Sequence, residues 1–71
     1  MQTDILIRFG HAVRKLRHDQ GISQEELAER CGLHRTYISD VELGKRNVSL
    51  ENIERIATSF NKSIVELFME V

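Results

Sequence analysis

The first twenty residues carry apolar side chains at intervals of three and four, with basic residues between them. This is the pattern of an amphipathic helix, and it predicts a first helix over residues 4–19 that stops before Gly21. The positions predicted to face the core are Ile5, Phe9, Ala12, Val13 and Leu16.

A second and a third short helix follow. Ser23-Gln24-Glu25-Glu26 has the sequence of a capping box, in which the Ser23 hydroxyl accepts from the Glu26 amide and the Glu26 carboxylate reaches back. The helix that begins there ends before Gly32, which is expected to take the positive φ of a turn. After a brief turn, apolar residues at helical spacing predict a third helix from Arg35 to Leu43.

Two further helices complete the chain. Ser49 is placed to cap a fourth helix that carries apolar residues from Leu50 to Phe60, and Ser63 opens a second capping box for a fifth helix that runs to Val71. No segment alternates with period 2, so the fold class is all-α, a compact five-helix bundle over residues 1–71. Two short helices around a glycine-containing turn are the layout of a helix-turn-helix unit, although short bundles also serve as protein-interaction domains.

Composition narrows the function. A chain of 71 residues holds one small domain with a modest core, for which oligomerisation is a common remedy. A net charge of −1 argues against a protein that coats nucleic acid or a membrane surface. The absence of a membrane-spanning run or a signal-peptide pattern, and a single cysteine, predict a cytoplasmic protein without a disulfide framework.

Catalytic and metal chemistry find no support. Cys31 falls on the apolar face of the second predicted helix, which favours a small core residue over a redox sensor. His11 and His18 lie two helical turns apart, about 10.5 Å, too far to chelate one ion. No nucleophile has a nearby base, and no glycine-rich phosphate loop is present, so we expect neither an enzyme nor a cofactor.

The spacing of many residues at once resembles the phage-repressor-like (Xre-type) helix-turn-helix family. The matching positions are Phe9-Gly10, Val13, Leu16-Arg17, Gly21 to Glu25, Leu27-Ala28, Gly32-Leu33, Ile38-Ser39, Glu42, Gly44 to Asn47 and Ser49-Leu50. Within that family, Arg35 to Ser39 followed by Glu42 and Arg46-Asn47 is similar to the controller proteins of restriction-modification systems. The sequence departs from the family pattern at Val48, where proline is common, and at Asp40, an acidic residue on the third helix.

The resemblance implies a lambda-repressor-like fold that binds a two-fold operator in double-stranded DNA as a homodimer. It also implies binding at the protein's own promoter, with activation at low occupancy and repression at high occupancy. A prophage-type immunity repressor and an antitoxin-type autoregulator remain alternatives, as does a helical interaction domain that does not bind DNA. The expected location is the cytoplasm, on nucleoid DNA.

The third predicted helix carries the candidate base-reading residues. Arg35 and Thr36 occupy its first turn, where an arginine fork fits guanine O6 and N7 and a threonine methyl meets a thymine methyl. A solvated or phosphate-only Arg35 is the alternative. Asp40 either accepts from a cytosine amine or repels phosphate.

A second group of residues is predicted to contact the DNA backbone. Gln24 lies at the start of the second helix, where free amides attract a phosphate. Tyr37 either fills the core or reaches DNA through its hydroxyl, and His34 caps the third helix, contacts phosphate, or does both. The full set is Gln24, His34, Tyr37, Ser39, Lys45, Arg46 and Asn47.

Three remaining predictions concern structure and partners. The resemblance implies a partly buried ion pair between Arg17 and Glu42. The fifth helix is apolar on more than one face, so Val65 and Met69, with Phe68, are predicted to form a dimer interface, unless the C-terminus merely frays. Glu25 and Glu29 lie four residues apart on the second helix, and the resemblance to phage-type activators implies that they contact the sigma subunit of RNA polymerase.

The distribution of charge answers the objection from net charge. Residues 1–20 and 34–47 carry net charges of +2 and +1, whereas residues 21–33 and 48–71 carry −2 each. The positive excess therefore lies on the first helix and on the third helix with its following loop. Such a chain is expected to bind DNA selectively, through base contacts and dimer symmetry, rather than to coat it.

Overall fold

The computed structural model describes residues 4–71, which form five α-helices and no strand. They are α1 (Asp4–Asp19), α2 (Gln24–Cys31), α3 (Arg35–Glu42), α4 (Leu50–Ser59) and α5 (Ile64–Phe68). The predicted all-α bundle is confirmed; residues 1–3 of the predicted domain lie outside the described part. None of the helices in residues 4–71 is long and apolar enough to cross a membrane.

Helix caps set the helix boundaries, but one of the two predicted capping boxes forms only in part. The Ser23 hydroxyl accepts from the Glu26 amide at 3.1 Å. The Glu26 carboxylate instead takes the Arg30 guanidinium at 2.8 Å, because a charged partner one turn along the helix competes with the backbone amide. At Ser63 both arms of the box are present, with Ser63 N donating to Glu66 Oε1 at 2.8 Å.

The last helix is shorter than the sequence indicated. It ends at Phe68, with Met69 as its C-cap, whereas the prediction carried it to Val71. Val71 still packs against the core, and the Glu70 carboxylate lies 3.5 Å from Lys15 Nζ on α1. The chain end is thus held by these side chains and by a turn in which the Glu70 and Val71 amides donate to the Leu67 and Phe68 carbonyls at 3.0 and 3.1 Å.

One buried cluster joins all five helices. It contains Val13 of α1, Leu27 of α2, Ile38 of α3, Ile56 of α4 and Leu67 of α5, each fully enclosed. Ile5, predicted to face the core, and Leu50, one of the apolar residues predicted on the fourth helix, are 44% and 76% exposed and lie outside this cluster.

Close backbone packing between α1 and α3 depends on Gly10. A Cβ at this position would lie 2.8 Å from the Glu42 carbonyl oxygen and closer still to that of Val41. The two helices can therefore approach only where no side chain intervenes, which places the end of α3 directly against α1.

Candidate nucleic-acid interface

The turn between α2 and α3 holds the start of α3 at the surface. Gly32 takes φ +68°, as predicted, and its amide and that of Leu33 close α2 on the Glu29 and Ala28 carbonyls at 3.2 and 2.9 Å. His34 is the N-cap residue of α3, but its side chain makes no capping hydrogen bond. Capping by the His34 imidazole is therefore excluded as its role in this structure.

Arg35 and Thr36 project from the first turn of α3, and both side chains are exposed. In the described part of the chain Arg35 has no ion-pair partner and lies beside Glu25, Glu29 and His34 along a surface groove of about 340 Å³. The guanidinium and the threonine methyl are thus exposed to an external partner at the start of α3.

Behind this surface, a buried ion pair joins α1 to α3. Arg17 donates through Nε to Glu42 Oε2 at 2.7 Å and through Nη2 to Glu42 Oε1 at 3.0 Å, and its Nη1 reaches the Ile22 carbonyl at 3.0 Å. The hydrogen bonds to Glu42 raise the pKa of Arg17 above its ordinary value. Within residues 4–71 no buried side-chain nitrogen or oxygen lacks a hydrogen-bond partner.

Gln24 is part of the same network. Its Nε2 donates to Glu42 Oε1 at 3.1 Å, which fixes the side chain at the start of α2. Gln24 also lines a polar cavity of about 230 Å³ with Ser39, Arg14 and Leu43, beside the ion pair. Two residues predicted to contact phosphate thus border one cavity.

Sequence reasoning missed Arg14 as a member of this cavity. Arg14 was read only as one of the polar residues between apolar positions of α1. The signal that was available is its spacing of three residues from Arg17, which puts both on one face of the helix. Arg14 is exposed and supplies a guanidinium at the rim.

On the other side of α3, Arg46 lies across two residues of the helix. Its guanidinium carbon is 4.8 Å from the centre of the Tyr37 ring, and its Nε is 3.6 Å from Asp40 Oδ2. The Tyr37 hydroxyl accepts a hydrogen bond from Asn52 Nδ2 at 3.1 Å, and the ring packs on the core. Asp40 and Arg46, both candidates for contact with DNA, are thus paired with each other.

The remaining residues predicted to contact DNA or polymerase lie in the loop after α3 or on α2. Lys45 and Asn47 are exposed in the loop after α3, and Asn47 also borders an apolar cavity of about 130 Å³ lined by Phe9, Val48 and Phe68. Glu25 and Glu29 are exposed on α2. No group of three or more histidine, cysteine or acidic side chains among the described residues is placed to hold a metal ion.

The thiol of Cys31 belongs to the core and not to this surface. Its side chain is buried with Leu27 and Ala28, and burial raises the pKa of the thiol. A thiol with a raised pKa is a poor nucleophile at neutral pH.

A C-terminal apolar patch, formed by Val65, Phe68 and Met69, lies apart from α3. Val65 is 72% and Met69 80% exposed. Phe68 is partly exposed, and its ring centre lies 5.6 Å from that of Phe9. Phe68 therefore connects the core to the patch.

Comparison with known proteins identifies the arrangement. The helix-turn-helix family profile matches residues 13–67, most of the chain. The chain belongs to the helix-turn-helix family. Control protein C.BamHI of Bacillus amyloliquefaciens is 55% identical over 58 residues, which are 80% of this chain and 72% of that protein.

Solved structures place the chain among the controller members of the family. The crystal structure of the restriction-modification controller protein C.AhdI from Aeromonas hydrophila superposes with a TM-score of 0.89, at 47% identity, over 93% of this chain and all of that one. The C.Esp1396I tetramer in complex with its natural 35-base-pair operator gives a TM-score of 0.88 at 32% identity, over 96% and 90% of the two chains. The chain is thus a helix-turn-helix transcriptional regulator of the controller type, and not an enzyme.

Proposed function

We propose that this chain binds a two-fold operator upstream of its own gene as a homodimer and thereby controls a restriction-modification system. Residues 1–71 act as one DNA-binding domain, with α5 as the dimerisation helix. One observation carries the proposal: Arg35 and Thr36 stand exposed at the start of α3, and Ser39, one turn after Arg35 on that helix, borders a polar cavity with Gln24 and Arg14.

The division of labour follows from chemistry. The Arg35 fork suits guanine O6 and N7, and the Thr36 methyl suits a thymine methyl, so these two side chains read bases in the major groove. Ser39 of α3, Gln24 of α2, and Lys45 and Asn47 of the loop after α3 are polar or basic groups, and they hold the backbone phosphates, as such contacts do in most protein–DNA interfaces. His34 joins them at the start of α3.

The C-terminal apolar patch supplies the dimer contact. The apolar surface of this patch, from Val65, Phe68 and Met69, is exposed to water in the monomer. A second copy of the chain would cover it. A symmetric contact through α5 places two α3 helices about one turn of DNA apart, which calls for half-sites centred ~10 bp apart. The complex of the relative C.Esp1396I, in which that protein is a tetramer on its natural 35-base-pair operator, supports operator binding by an oligomer.

Activation and repression follow from occupancy. One dimer activates transcription through Glu25 and Glu29, which are exposed on α2 and present carboxylates to a basic surface of the sigma subunit of RNA polymerase. A second dimer on an adjacent site represses. The protein acts on nucleoid DNA, and its own promoter is among its targets.

The decisive test is a binding titration on the DNA upstream of the gene with the wild type, Arg35→Ala and the control Arg8→Ala. Arg8 makes an exposed pair with Asp4 on α1, so the control removes the same charge from a site outside the proposed surface. Loss of a bidentate guanine contact is expected to weaken operator binding by roughly 5- to 150-fold. Arg8→Ala is expected to stay within about twofold, as exposed pairs contribute little.

The salt dependence distinguishes base reading from phosphate contact. If Arg35 reads a base, its removal weakens operator binding and leaves binding to unrelated DNA unchanged. A uniform loss on all sequences, with a salt slope reduced by about 1, would assign Arg35 to phosphate instead. Equal operator binding by the wild type and Arg35→Ala would refute the proposed reading role.

A further inference from the structure

Four side chains link α3, the loop after it and the start of α4. Asp40 lies one turn beyond Tyr37 on α3, so both occupy one side of that helix. Arg46 spans them, with its guanidinium over the Tyr37 ring and its Nε at 3.6 Å from Asp40 Oδ2. Asn52 holds the Tyr37 hydroxyl at 3.1 Å.

Asn52 is itself fixed. Its backbone amide donates to the Ser49 hydroxyl at 3.2 Å in the N-terminal cap of α4. The Tyr37 ring thus has one face and its hydroxyl committed to the protein, and it forms a rigid platform for the guanidinium. Arg46 therefore rests on the bundle itself, on a platform held by α3 and α4, and does not extend freely into solvent.

The charges at this platform have opposite consequences for DNA. An arginine beside α3 would neutralise a phosphate, and neutralised phosphates dominate binding to any sequence. An aspartate on the same helix faces the same polyanion unfavourably. The pairing of Asp40 with Arg46 offsets the positive charge of Arg46, which would otherwise raise the affinity for DNA of any sequence.

We infer that Asp40 is a positioning residue that restrains Arg46 against Tyr37 and so limits sequence-independent DNA binding. This role rests on the proposed function, because it concerns the same surface. It differs from base reading, since the carboxylate acts through Arg46 and not on a nucleotide. Specificity is the ratio of operator binding to binding elsewhere, and restraint of Arg46 raises that ratio by lowering the second quantity.

The pair is about one-third to one-half exposed, so its effect on binding is modest. On unrelated duplex DNA, Asp40→Asn is expected to raise affinity about two- to fivefold and to steepen the salt slope by about 0.9, the equivalent of one added phosphate contact. The operator-to-unrelated ratio falls accordingly. The matched control is Glu54→Gln, which removes one charge from an exposed carboxylate on α4 and is expected to change neither quantity by more than about 1.5-fold.

A double-mutant cycle with Arg46→Gln separates the mechanisms. If Asp40 acts through Arg46, the gain from Asp40→Asn disappears in the Arg46→Gln background. An undiminished gain in that background would mean that Asp40 repels phosphate directly. A loss of operator binding without a change on unrelated DNA would make Asp40 a base reader. Either result overturns the inference.

A measurement on the free protein needs no operator. In the wild type, the Nε–Hε group of Arg46 is expected to show a high heteronuclear NOE, and in Asp40→Asn a low one, with Arg35 as the mobile reference in both. Equal mobility of Arg46 and Arg35 in the wild type would refute the restraint. If Arg46 proves to be restrained but the protein does not bind the operator, the result would count against the proposed function and not against the restraint of Arg46.

Discussion

The Glu42 carboxylate receives both Arg17 and Gln24, with Arg17 Nε 2.7 Å from Oε2 and Gln24 Nε2 3.1 Å from Oε1. One buried acid at the end of α3 thus orients a residue of α1 and the first residue of α2. The angle between α2 and α3 therefore depends on this carboxylate. The alignment of the side chains that these two helices present to DNA depends on it as well.

Removal of the Glu42 carboxylate is expected to destabilise the fold strongly. Glu42→Ala leaves the Arg17 guanidinium buried without a counter-ion, which typically costs about 3–5 kcal/mol. Urea denaturation followed by circular dichroism measures the change. The control is the double variant Arg17→Met/Glu42→Leu, which replaces both partners by apolar groups and should recover much of the loss. A single variant as stable as the double variant would contradict the role of the buried pair.

Gly10→Ala is expected to reverse the usual sign of a helical glycine-to-alanine change. In an open helix position alanine gains about 1 kcal/mol. Here the new Cβ would meet the carbonyl oxygens of Val41 and Glu42, so we expect a loss of about 1–3 kcal/mol from overpacking. His11→Ala, at the neighbouring exposed position of α1, serves as the control and should be neutral or slightly stabilising in the same denaturation experiment. A stabilised Gly10→Ala would show that α1 and α3 separate readily.

Acid is expected to weaken the attachment of α5. The hydrogen bond from the Ser63 backbone amide, and then that from its side chain, lower the pKa of Glu66 below its ordinary value. Since the folded-state pKa is the lower one, the stabilisation is complete above the ordinary carboxyl pKa of about 4.3 and is lost as pH falls through the lowered value.

Thermal unfolding of the wild type and Glu66→Gln from pH 7 to pH 3 checks this. The difference in Tm between them should shrink toward acid pH. A difference that stays constant with pH would rule out a contribution from the ionised carboxylate.

A cation in the C-terminal apolar patch is expected to separate the proposed dimer. Met69→Lys places an ammonium group where a second copy would pack, so sedimentation equilibrium should show monomers and operator binding should require higher concentrations. Thr58→Lys adds the same charge at an exposed position of α4 and should leave the association unchanged. If Met69→Lys remains dimeric, the interface lies elsewhere.

Local signals in the sequence were sufficient for most of the fold. Ser23, Ser49 and Ser63 are caps that act on the amide three residues ahead, so the starts of α2, α4 and α5 were readable from short spacings. The end of α5 was not, because whether apolar residues continue a helix or only fold back on the core depends on the packing of Val71.

The side-chain network of the site depended on distance in space. Gln24 lies 18 residues from Glu42, and Tyr37 lies 15 from Asn52, so no spacing rule connects them. The exposure of Arg35 and Thr36 was predictable from helix position alone. The engagement of Arg46 by Asp40 and Tyr37 was not, because it requires the loop after α3 to turn back across the helix.

The brevity of α5 bears on the timing of regulation. Five residues are too few to form a helix in isolation, so the proposed association surface exists only once the Ser63 cap and Leu67 are in place on the folded core. Dimers then increase with the square of subunit concentration while monomers predominate. Operator occupancy by the proposed dimer would therefore rise steeply with subunit concentration and fall steeply on dilution at cell division.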